Sequence, residues 1–247
     1  MEKSVGQDIL FLPEVTNCIS SDWAHLDKAL GLYEDNFFIK KISERARDLK
    51  IWVALGSVAV KANHTDERYV NRSILINSNG GIAAWYDKIH MFDVTLSDTE
   101  SYQESKYYQQ GKHAVLAQTP WANIGLTICY DLRFPGLYRT LAKSGAQILT
   151  APAAFTCSTG EAHWHTLIKC RAIETGCFLI ASAQTGEHPG SNRKTYGHSL
   201  IVNPWGEVLL DGGKRPGLFF AKLDLREVKS ARDRIPSLSN NSKFKIR

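Results

Sequence analysis

The sequence lacks the features that would place the protein in a membrane or on a nucleic acid. No stretch approaches the roughly 18 consecutive apolar residues that a helix needs to cross a bilayer, so no membrane partner is expected. Lysine and arginine give a net charge of +5, but they are scattered along the chain rather than clustered. A nucleic-acid partner is therefore not expected either.

Sequence patterns typical of metal sites and disulfide frameworks are also missing. None of the five cysteines belongs to a CxxC pair, and their spacing fits neither kind of site: Cys18, Cys129, Cys157, Cys170 and Cys177. The N-terminal stretch MEKSVGQDILFLPE lacks the apolar middle and the cleavage site of a secretory signal. We therefore expect the cysteines to be free thiols in a reducing compartment, which predicts a cytoplasmic protein.

No repeat, low-complexity tract or linker interrupts the 247 residues, so a single domain is the economical interpretation. Apolar residues make up 43% of the chain and charged residues 22%, which is typical of a globular protein with a core. Predicted helices alternate with buried strands, which indicates a layered α/β fold. A hairpin signal at Asn79-Gly80-Gly81 indicates mixed sheets.

Individual segments give more specific predictions. IWVALGSVAV (51–60) is predicted as one strand, residues 93–112 as a long irregular loop, and residues 161–175 as a helix. Near the C-terminus, HSLIVNP, EVLLDG and LFFAKLDL are predicted as the three strands of a meander.

Three polar residues stand where apolar, strand-like runs end. Glu14 follows ILFLP, Lys88 follows IAAWYD, and Cys129 follows GLTI. The carboxyl ends of strands are the usual place for chemistry in α/β sheets. Taken singly, each residue has a structural explanation: a packed thiol, a solvated turn residue and a surface charge. The functional interpretation requires that all three meet.

Together the three residues suit acyl transfer from an amide. A thiol needs a base or a nearby positive charge to become nucleophilic, and Glu14 would accept the proton of Cys129. The same carboxyl would return the proton to a leaving amine. Lys88 would hold a fixed positive charge beside the oxyanion that forms on attack.

Three motifs, FLPE, YDKIHMFD and TICYDLRFP, in that order resemble the signatures of the nitrilase superfamily of carbon–nitrogen hydrolases. The resemblance implies a Glu-Lys-Cys triad at Glu14, Lys88 and Cys129. It also implies a four-layer αββα sandwich with two mixed sheets, one carbon–nitrogen hydrolase domain over residues 1–247, and a homodimer or homotetramer. Neither a cofactor nor a metal is implied.

CYDLRFP, RAIETGCFLIASAQTG and YGHSLIVNPWGE are similar to the Nit branch of the superfamily, whose characterised members are deaminated glutathione amidases. The resemblance implies hydrolysis of deaminated glutathione to 2-oxoglutarate and cysteinylglycine through a thioester on Cys129. An ω-amidase acting on α-ketoglutaramate or succinamate shares the same motifs. A non-catalytic scaffold and a thiol redox sensor are the alternatives from other classes.

Further residues around the triad are candidates for the site, Glu104 by the resemblance and the others by their chemistry or position. Glu104 matches a second glutamate beside the lysine, with a surface loop residue as the alternative. Arg133 suits a substrate carboxylate through its planar fork, and equally suits an ion pair that holds the turn after the cysteine. The backbone N–H of Tyr130 would complete an oxyanion hole. Phe155 would line the pocket, with core packing as the alternative.

Histidines offer weaker candidates. His90 is second to Glu14 as the base. His163 and His165 invite a metal site, but residues two apart on a helix point in different directions, so metal binding is not expected there.

By the same resemblance the chain starts inside the end of the family's first helix, and a preceding strand–helix unit is expected to be missing. We expect this to affect stability and assembly more than chemistry. An upstream start would also leave room for a mitochondrial targeting peptide.

Overall fold

The computed structural model describes residues 1–19, 30–62, 68–188, 193–240 and 242–246. Its strands are β1 (Ile9–Phe11), β2 (Trp52–Ala54), β3 (Val58–Lys61), β4 (Tyr69–Ile76), β5 (Ile82–Asp87), β6 (Asp93–Ser97), β7 (Glu100–Gln103), β8 (Tyr108–Gln109), β9 (Val115–Gln118), β10 (Asn123–Leu126), β11 (Ile148–Thr150), β12 (Phe178–Ala181), β13 (Thr185–Glu187), β14 (Lys194–Tyr196), β15 (Leu200–Val202) and β16 (Val208–Asp211). The helices whose bounds are described are α1 (Phe37–Leu49), α2 (Pro135–Lys143), α3 (Cys157–Thr175) and α4 (Arg226–Arg234).

Twelve of these strands form two six-stranded sheets, and β6 with β7 and β13 with β14 form two separate two-stranded sheets. In the first sheet the order is β1-β2-β4-β3, and β5 and β8 also pair with β4. In the second sheet the order is β16-β15-β12-β11-β10-β9. Each sheet combines parallel pairs, such as β1 with β2 and β10 with β11, with antiparallel pairs, such as β4 with β5 and β9 with β10. The prediction of two mixed sheets is therefore confirmed.

Helix α1 covers the outer face of the first sheet. The side chain of Asn36 caps its start by accepting a hydrogen bond from the Ile39 amide at 3.1 Å, and Lys50 ends it in the left-handed conformation. The apolar positions Ile39 and Ala46 are buried and pack with the strand residues of the first sheet, among them Val53. The amphipathic pattern thus determines which face of the helix is buried.

Helices α2 and α3 cover the outer face of the second sheet. Leu141 of α2 and Trp164 of α3 are buried in the same cluster as the residues of β10 to β12. Between the sheets, Ala54 and Leu75 of the first pack with Ala117 of the second. The layers follow the order helix, sheet, sheet, helix, which confirms the four-layer αββα sandwich. In the described part of the chain, the structure contains no helix both long and apolar enough to span a membrane.

Two predictions for the N-terminal half of the chain were wrong. The run 51–60 forms two strands, because the chain turns at Gly56, whose φ is +37°. A Cβ at Gly56 would lie 2.0 Å from the carbonyl oxygen of Pro13, so the close approach of these two turns depends on glycine. The segment 93–112 is not irregular: it contains the hairpin of β6 and β7, a 3-10 helix (Glu104–Lys106) and β8.

Two predictions in the C-terminal half also need correction. LFFAKLDL (218–225) forms no strand, although the described segment 193–240 covers it completely, and helix α4 follows it without having been predicted. Helix α3 begins at Cys157, four residues before the predicted start, because Thr156 provides its cap by accepting from the Thr159 amide.

Candidate active site

Glu14, Lys88 and Cys129 follow the carboxyl ends of β1, β5 and β10 and meet at one cavity. The turn that carries Glu14 is held against the turn between β2 and β3. The amide of Val15 donates to Oγ of Ser57 at 2.9 Å, and Val15 itself has a left-handed φ of +44°. A residue that is not glycine adopts this conformation at a cost, which the surrounding hydrogen bonds offset.

Lys88 lies buried between two carboxylates. Its Nζ donates to Oε1 of Glu14 at 3.1 Å and to both carboxyl oxygens of Glu104, at 2.9 and 2.8 Å. Burial works to lower the pKa of Lys88, but Glu104 and Glu14 outweigh it and hold the pKa well above its ordinary value. Lys88 is therefore a fixed positive charge and not a proton donor.

Glu14 is almost fully buried and accepts hydrogen bonds on both carboxyl oxygens. Besides Lys88, Oε1 accepts from Asn71 Nδ2 at 2.9 Å, and Oε2 accepts from the amide of Ala154 at 2.9 Å. Burial alone would raise the pKa of Glu14, but Lys88 and Arg193 reverse that effect and lower it. The carboxyl group is therefore ionised and able to accept a proton.

Cys129 opens a 3-10 helix (Cys129–Arg133) in a left-handed conformation with a φ of +48°. Its amide donates to the carbonyl oxygen of Pro152 at 2.9 Å, which fixes the backbone at the end of the strand. Burial and the negative charge of Glu14 raise the pKa of the thiol well above its ordinary value, against the opposing effect of Lys88. The resting group is a neutral thiol that borders the same cavity as the Glu14 carboxylate.

A buried carboxylate supports the turn after Cys129. Asp131 is completely buried and accepts from the amide of Ile128 at 2.8 Å, from the Tyr86 hydroxyl at 2.7 Å and from Nδ1 of His90 at 2.7 Å. The His90 ring also stacks on Phe134 at 3.6 Å. His90 does not line the cavity, so the structure gives no support to its role as the alternative base.

The cavity has a volume of about 270 Å³. Its wall includes the three triad candidates together with the predicted residues Glu104, Tyr130 and Phe155. Phe155 is buried and packs on Trp164 with 4.7 Å between ring centroids. Its ring therefore belongs both to the cavity wall and to the hydrophobic core. The structure thus brings together all but one of the predicted site residues.

Arg133 is the exception. Its Nη2 lies 3.3 Å from Nδ1 of His163, and its guanidinium lies 5.7 Å from the Phe155 ring centroid. Arg133 is not among the residues that line the cavity. A role for Arg133 in binding a substrate carboxylate stays a prediction.

Arg193 lines the cavity and was missed by sequence reasoning. Its Nη2 donates to the carbonyl oxygen of Ala154 at 2.5 Å, and its guanidinium lies 5.8 Å from the Tyr102 ring centroid. No local pattern singles it out, because it lies between β13 and β14, directly before β14, and only the fold brings this strand pair to the cavity. Asn71 was missed as well, although a polar residue inside the fully buried strand β4 was a visible signal.

The comparisons with known proteins agree with this geometry. The sequence profile of the family described as carbon-nitrogen hydrolase matches residues 1–233. The chain belongs to this family. Membership of this family confirms the predicted nitrilase-superfamily resemblance. The chain is therefore a hydrolase of carbon–nitrogen bonds other than peptide bonds.

Relatives in the Nit branch cover most of the chain. A protein of Yersinia enterocolitica named deaminated glutathione amidase is 40% identical over 210 residues, which are 85% of this chain and 73% of that protein. The Homo sapiens protein of the same name is 37% identical over 238 residues, covering 94% of this chain and 71% of that protein.

Solved structures show the same fold. The NitFhit protein of C. elegans superposes with a TM-score of 0.87 at 36% identity, over 97% of this chain and 58% of that longer chain. Nit3 of Saccharomyces cerevisiae, a member of branch 10 of the nitrilase superfamily, superposes with a TM-score of 0.85 at 26% identity, over 99% of this chain and 86% of that one.

Proposed function

We propose that this chain is an amidase that hydrolyses deaminated glutathione to 2-oxoglutarate and cysteinylglycine. The observation that carries the proposal is the meeting of an ionised glutamate, a protonated lysine and a neutral thiol at the wall of one cavity. Its relatives named deaminated glutathione amidase support the choice of substrate. The catalytic roles assigned to Glu14, Lys88 and Cys129 are part of this proposal.

In the first half of the reaction, the sulfur of Cys129 attacks the amide carbonyl carbon while Glu14 accepts the thiol proton. A negative charge develops on the carbonyl oxygen, and the Lys88 ammonium is the nearby fixed positive charge. The amide of Tyr130 lies in the first turn of the 3-10 helix, where an N–H group has no partner within the helix, and is assigned as a second donor. The C–N bond then breaks, the amine leaves with the proton from Glu14, and a thioester remains.

In the second half, Glu14 takes a proton from water, whose oxygen attacks the thioester carbon. The C–S bond breaks, the carboxylic acid leaves, and the thiolate of Cys129 recovers a proton from Glu14. Glu104 acts through Lys88: its two carboxyl oxygens and the hydrogen bond that it accepts from the Phe92 amide at 2.6 Å hold the ammonium in place.

Substrate carboxylates need a cation, and Lys88 is already engaged by two carboxylates. Arg193 is the arginine on the described cavity wall, and its guanidinium suits a carboxylate through paired hydrogen bonds. We assign Arg193 to a carboxylate of deaminated glutathione, with Phe155 as the apolar wall. Arg133 does not line the cavity, so it would contribute only if its side chain moved.

The test is a product assay with purified chain on deaminated glutathione and on α-ketoglutaramate and succinamate. We expect 2-oxoglutarate and cysteinylglycine, with a kcat/KM for deaminated glutathione above that for the other two. Higher kcat/KM for α-ketoglutaramate or succinamate would make the chain an ω-amidase. A folded chain that hydrolyses none of them would support a scaffold. The single domain over residues 1–247, the cytoplasmic location and the homo-oligomer stay predictions.

A further inference from the structure

Away from the cavity wall, three side chains of types that bind metals converge near the surface. They come from different elements: His165 from helix α3, His198 from the loop before β15, and Asp211 from the end of β16. Nε2 of His165 lies 3.0 Å from Oδ2 of Asp211, and Nδ1 of His198 lies 2.9 Å from Oδ1 of the same carboxylate. The three ligand atoms all lie within 4.8 Å of one another.

We propose that His165, His198 and Asp211 form a binding site for a divalent transition-metal ion of the Zn²⁺ class. Two imidazole nitrogens and one carboxylate oxygen are a donor set that Zn²⁺ accepts, with water as a fourth ligand. Tetrahedral bonds of about 2.0–2.1 Å place ligand atoms about 3.3 Å apart. The separations of 2.9 and 3.0 Å therefore need to open by only a few tenths of an ångström.

Hydrogen bonds from the backbone hold the carboxylate in position. The amide of Gly213 donates to Oδ1 of Asp211 at 2.8 Å, which directs the remaining lone pairs of the carboxylate towards the imidazoles.

The His198 imidazole is fixed through its own backbone. Nε1 of Trp164 donates to the carbonyl oxygen of His198 at 2.7 Å, and the amide of His198 donates to the carbonyl oxygen of Gly213 at 2.7 Å. These bonds hold His198 at a left-handed φ of +56°, and the ring of Tyr196 stacks on its imidazole at 4.6 Å between centroids. Two of the three ligands are thus oriented by contacts outside the set, which is how protein metal sites are built.

The competing explanation is a hydrogen-bonded His–Asp–His network that binds no ion. The ammonium of Lys214 lies 5.6 Å from the Tyr196 ring centroid, so a positive charge already stands near the cluster. The two explanations differ in a measurable way, because only a metal site requires all three side chains for saturable binding.

The test uses the full chain after treatment with a chelator, titrated with Co²⁺ as a spectroscopic probe for Zn²⁺. We expect one ion per chain with the visible absorption of a tetrahedral Co²⁺ centre. His165→Ala and Asp211→Asn should weaken Co²⁺ binding by at least ~10- to 100-fold. Removing a residue that only hydrogen-bonds to a ligand costs this much, and here a ligand itself is lost. His163→Ala, on the same helix but outside the cluster, is the matched control and should bind as the unmodified chain does.

Co²⁺ binding that does not saturate, or that is equal in all four proteins, would overturn the proposal. A thiolate-to-cobalt charge-transfer band would overturn it as well, because such a band would assign the ion to a cysteine. Thermal unfolding checks folding: Zn²⁺ should raise Tm of the unmodified chain and of His163→Ala only. If either test variant fails to fold, proton NMR of the Co²⁺-loaded unmodified chain decides. Strongly shifted N–H signals from two histidines support the site, and their absence overturns it.

Discussion

Cys129 and Cys177 are two buried thiols in the same hydrophobic cluster, and burial raises the pKa of both. Their neighbours differ. The sulfur of Cys177 donates to the carbonyl oxygen of Ala146 at 3.3 Å and lies 3.0 Å from Nη2 of Arg232. Cys129 instead borders the cavity, beside Glu14 and Lys88. One thiol is enclosed by hydrogen-bonding groups that hold the fold, and the other faces a space that a substrate can enter.

The comparison shows that burial and a raised pKa do not identify a nucleophile. Both thiols are neutral at rest, so neither reacts as a preformed thiolate. What distinguishes Cys129 is a nearby carboxylate, Glu14, that is kept ionised by its own neighbours and borders the same cavity. A positive guanidinium beside Cys177 works to lower the pKa of its thiol but provides no group that could accept its proton. A base and access distinguish the two sites.

The largest expected effect separates the two cysteines directly. Cys129→Ala removes the proposed nucleophile, and kcat should fall by on the order of 10⁴-fold or more. Cys177→Ala should leave kcat and KM within about threefold of the unmodified chain, because the residue does not border the cavity. Equal losses in two folded variants, measured by product release on deaminated glutathione, would contradict the distinction.

Glu14→Gln tests the base. Turnover should fall by about 10²- to 10⁴-fold, since general-base catalysis contributes this much. The same change removes a negative charge that raises the pKa of Cys129 while Lys88 stays in place, so the thiol pKa should decrease. Slower turnover together with a more acidic thiol, followed by alkylation against pH, supports the base once circular dichroism shows that the variant is folded, because an unfolded chain would also lose turnover and the raised thiol pKa.

The control for that prediction is Glu174→Gln. Glu174 accepts from Nη1 of Arg171 at 2.9 Å and does not line the cavity. We expect its turnover to stay within about threefold of the unmodified chain. Turnover by Glu14→Gln at the same level would mean that another group accepts the thiol proton.

Reaction with iodoacetamide tests access and ionisation together. Because the thiol pKa of Cys129 lies well above 9.0, its alkylation rate should still be rising at pH 9. Turnover should not follow that rise, because in the proposed mechanism Glu14 accepts the proton during attack. The pKa of Glu14 is lowered below 4.5, so its base form is present above that pH and is lost as pH falls through the lowered pKa. Turnover should therefore decline only below about pH 4.5 on the acid side.

Cys177 should react with iodoacetamide more slowly than Cys129 by at least about tenfold, since it is exposed only when the surrounding structure opens. Mass spectrometry of the two cysteine-containing peptides measures both rates in one sample. Faster labelling of Cys177 would reverse the assignment of the accessible thiol.

Much of the site could be predicted because its residues follow strand ends. Glu14, Lys88 and Cys129 each come after an apolar run, and the fold brings those ends to one cavity. Glu104 reaches Lys88 only because the segment after β5 folds into a hairpin and a 3-10 helix, which its polar composition did not indicate. Arg193 enters the cavity through tertiary packing alone, so no local pattern could reveal it.

The errors in the predicted fold have physical causes of the same kind. LFFAKLDL (218–225) has strand-like composition, but a strand also needs a hydrogen-bonded neighbour, and none of the described residues forms a ladder with it. The run 51–60 is apolar throughout, and apolarity does not show where the chain must turn. The close contact of Gly56 with Pro13, which breaks the run, is a feature of the folded structure.

The smallest expected effect on catalysis comes from the surroundings of Cys177. Arg232→Met removes hydrogen bonds to the carbonyl oxygens of Ala146 (2.7 Å) and Thr175 (3.2 Å), as well as the contact with Cys177. Both carbonyl oxygens would keep only the weak S–H donor of Cys177, so the free energy of unfolding should fall by about 1–3 kcal/mol, while kcat/KM changes little. Arg226→Met is the matched control, since this exposed arginine pairs only with Asp224 in the described structure and should cost less than about 0.5 kcal/mol. A loss of activity in folded Arg232→Met, measured beside urea unfolding, would show that the enclosed thiol and the cavity are coupled and would break the comparison.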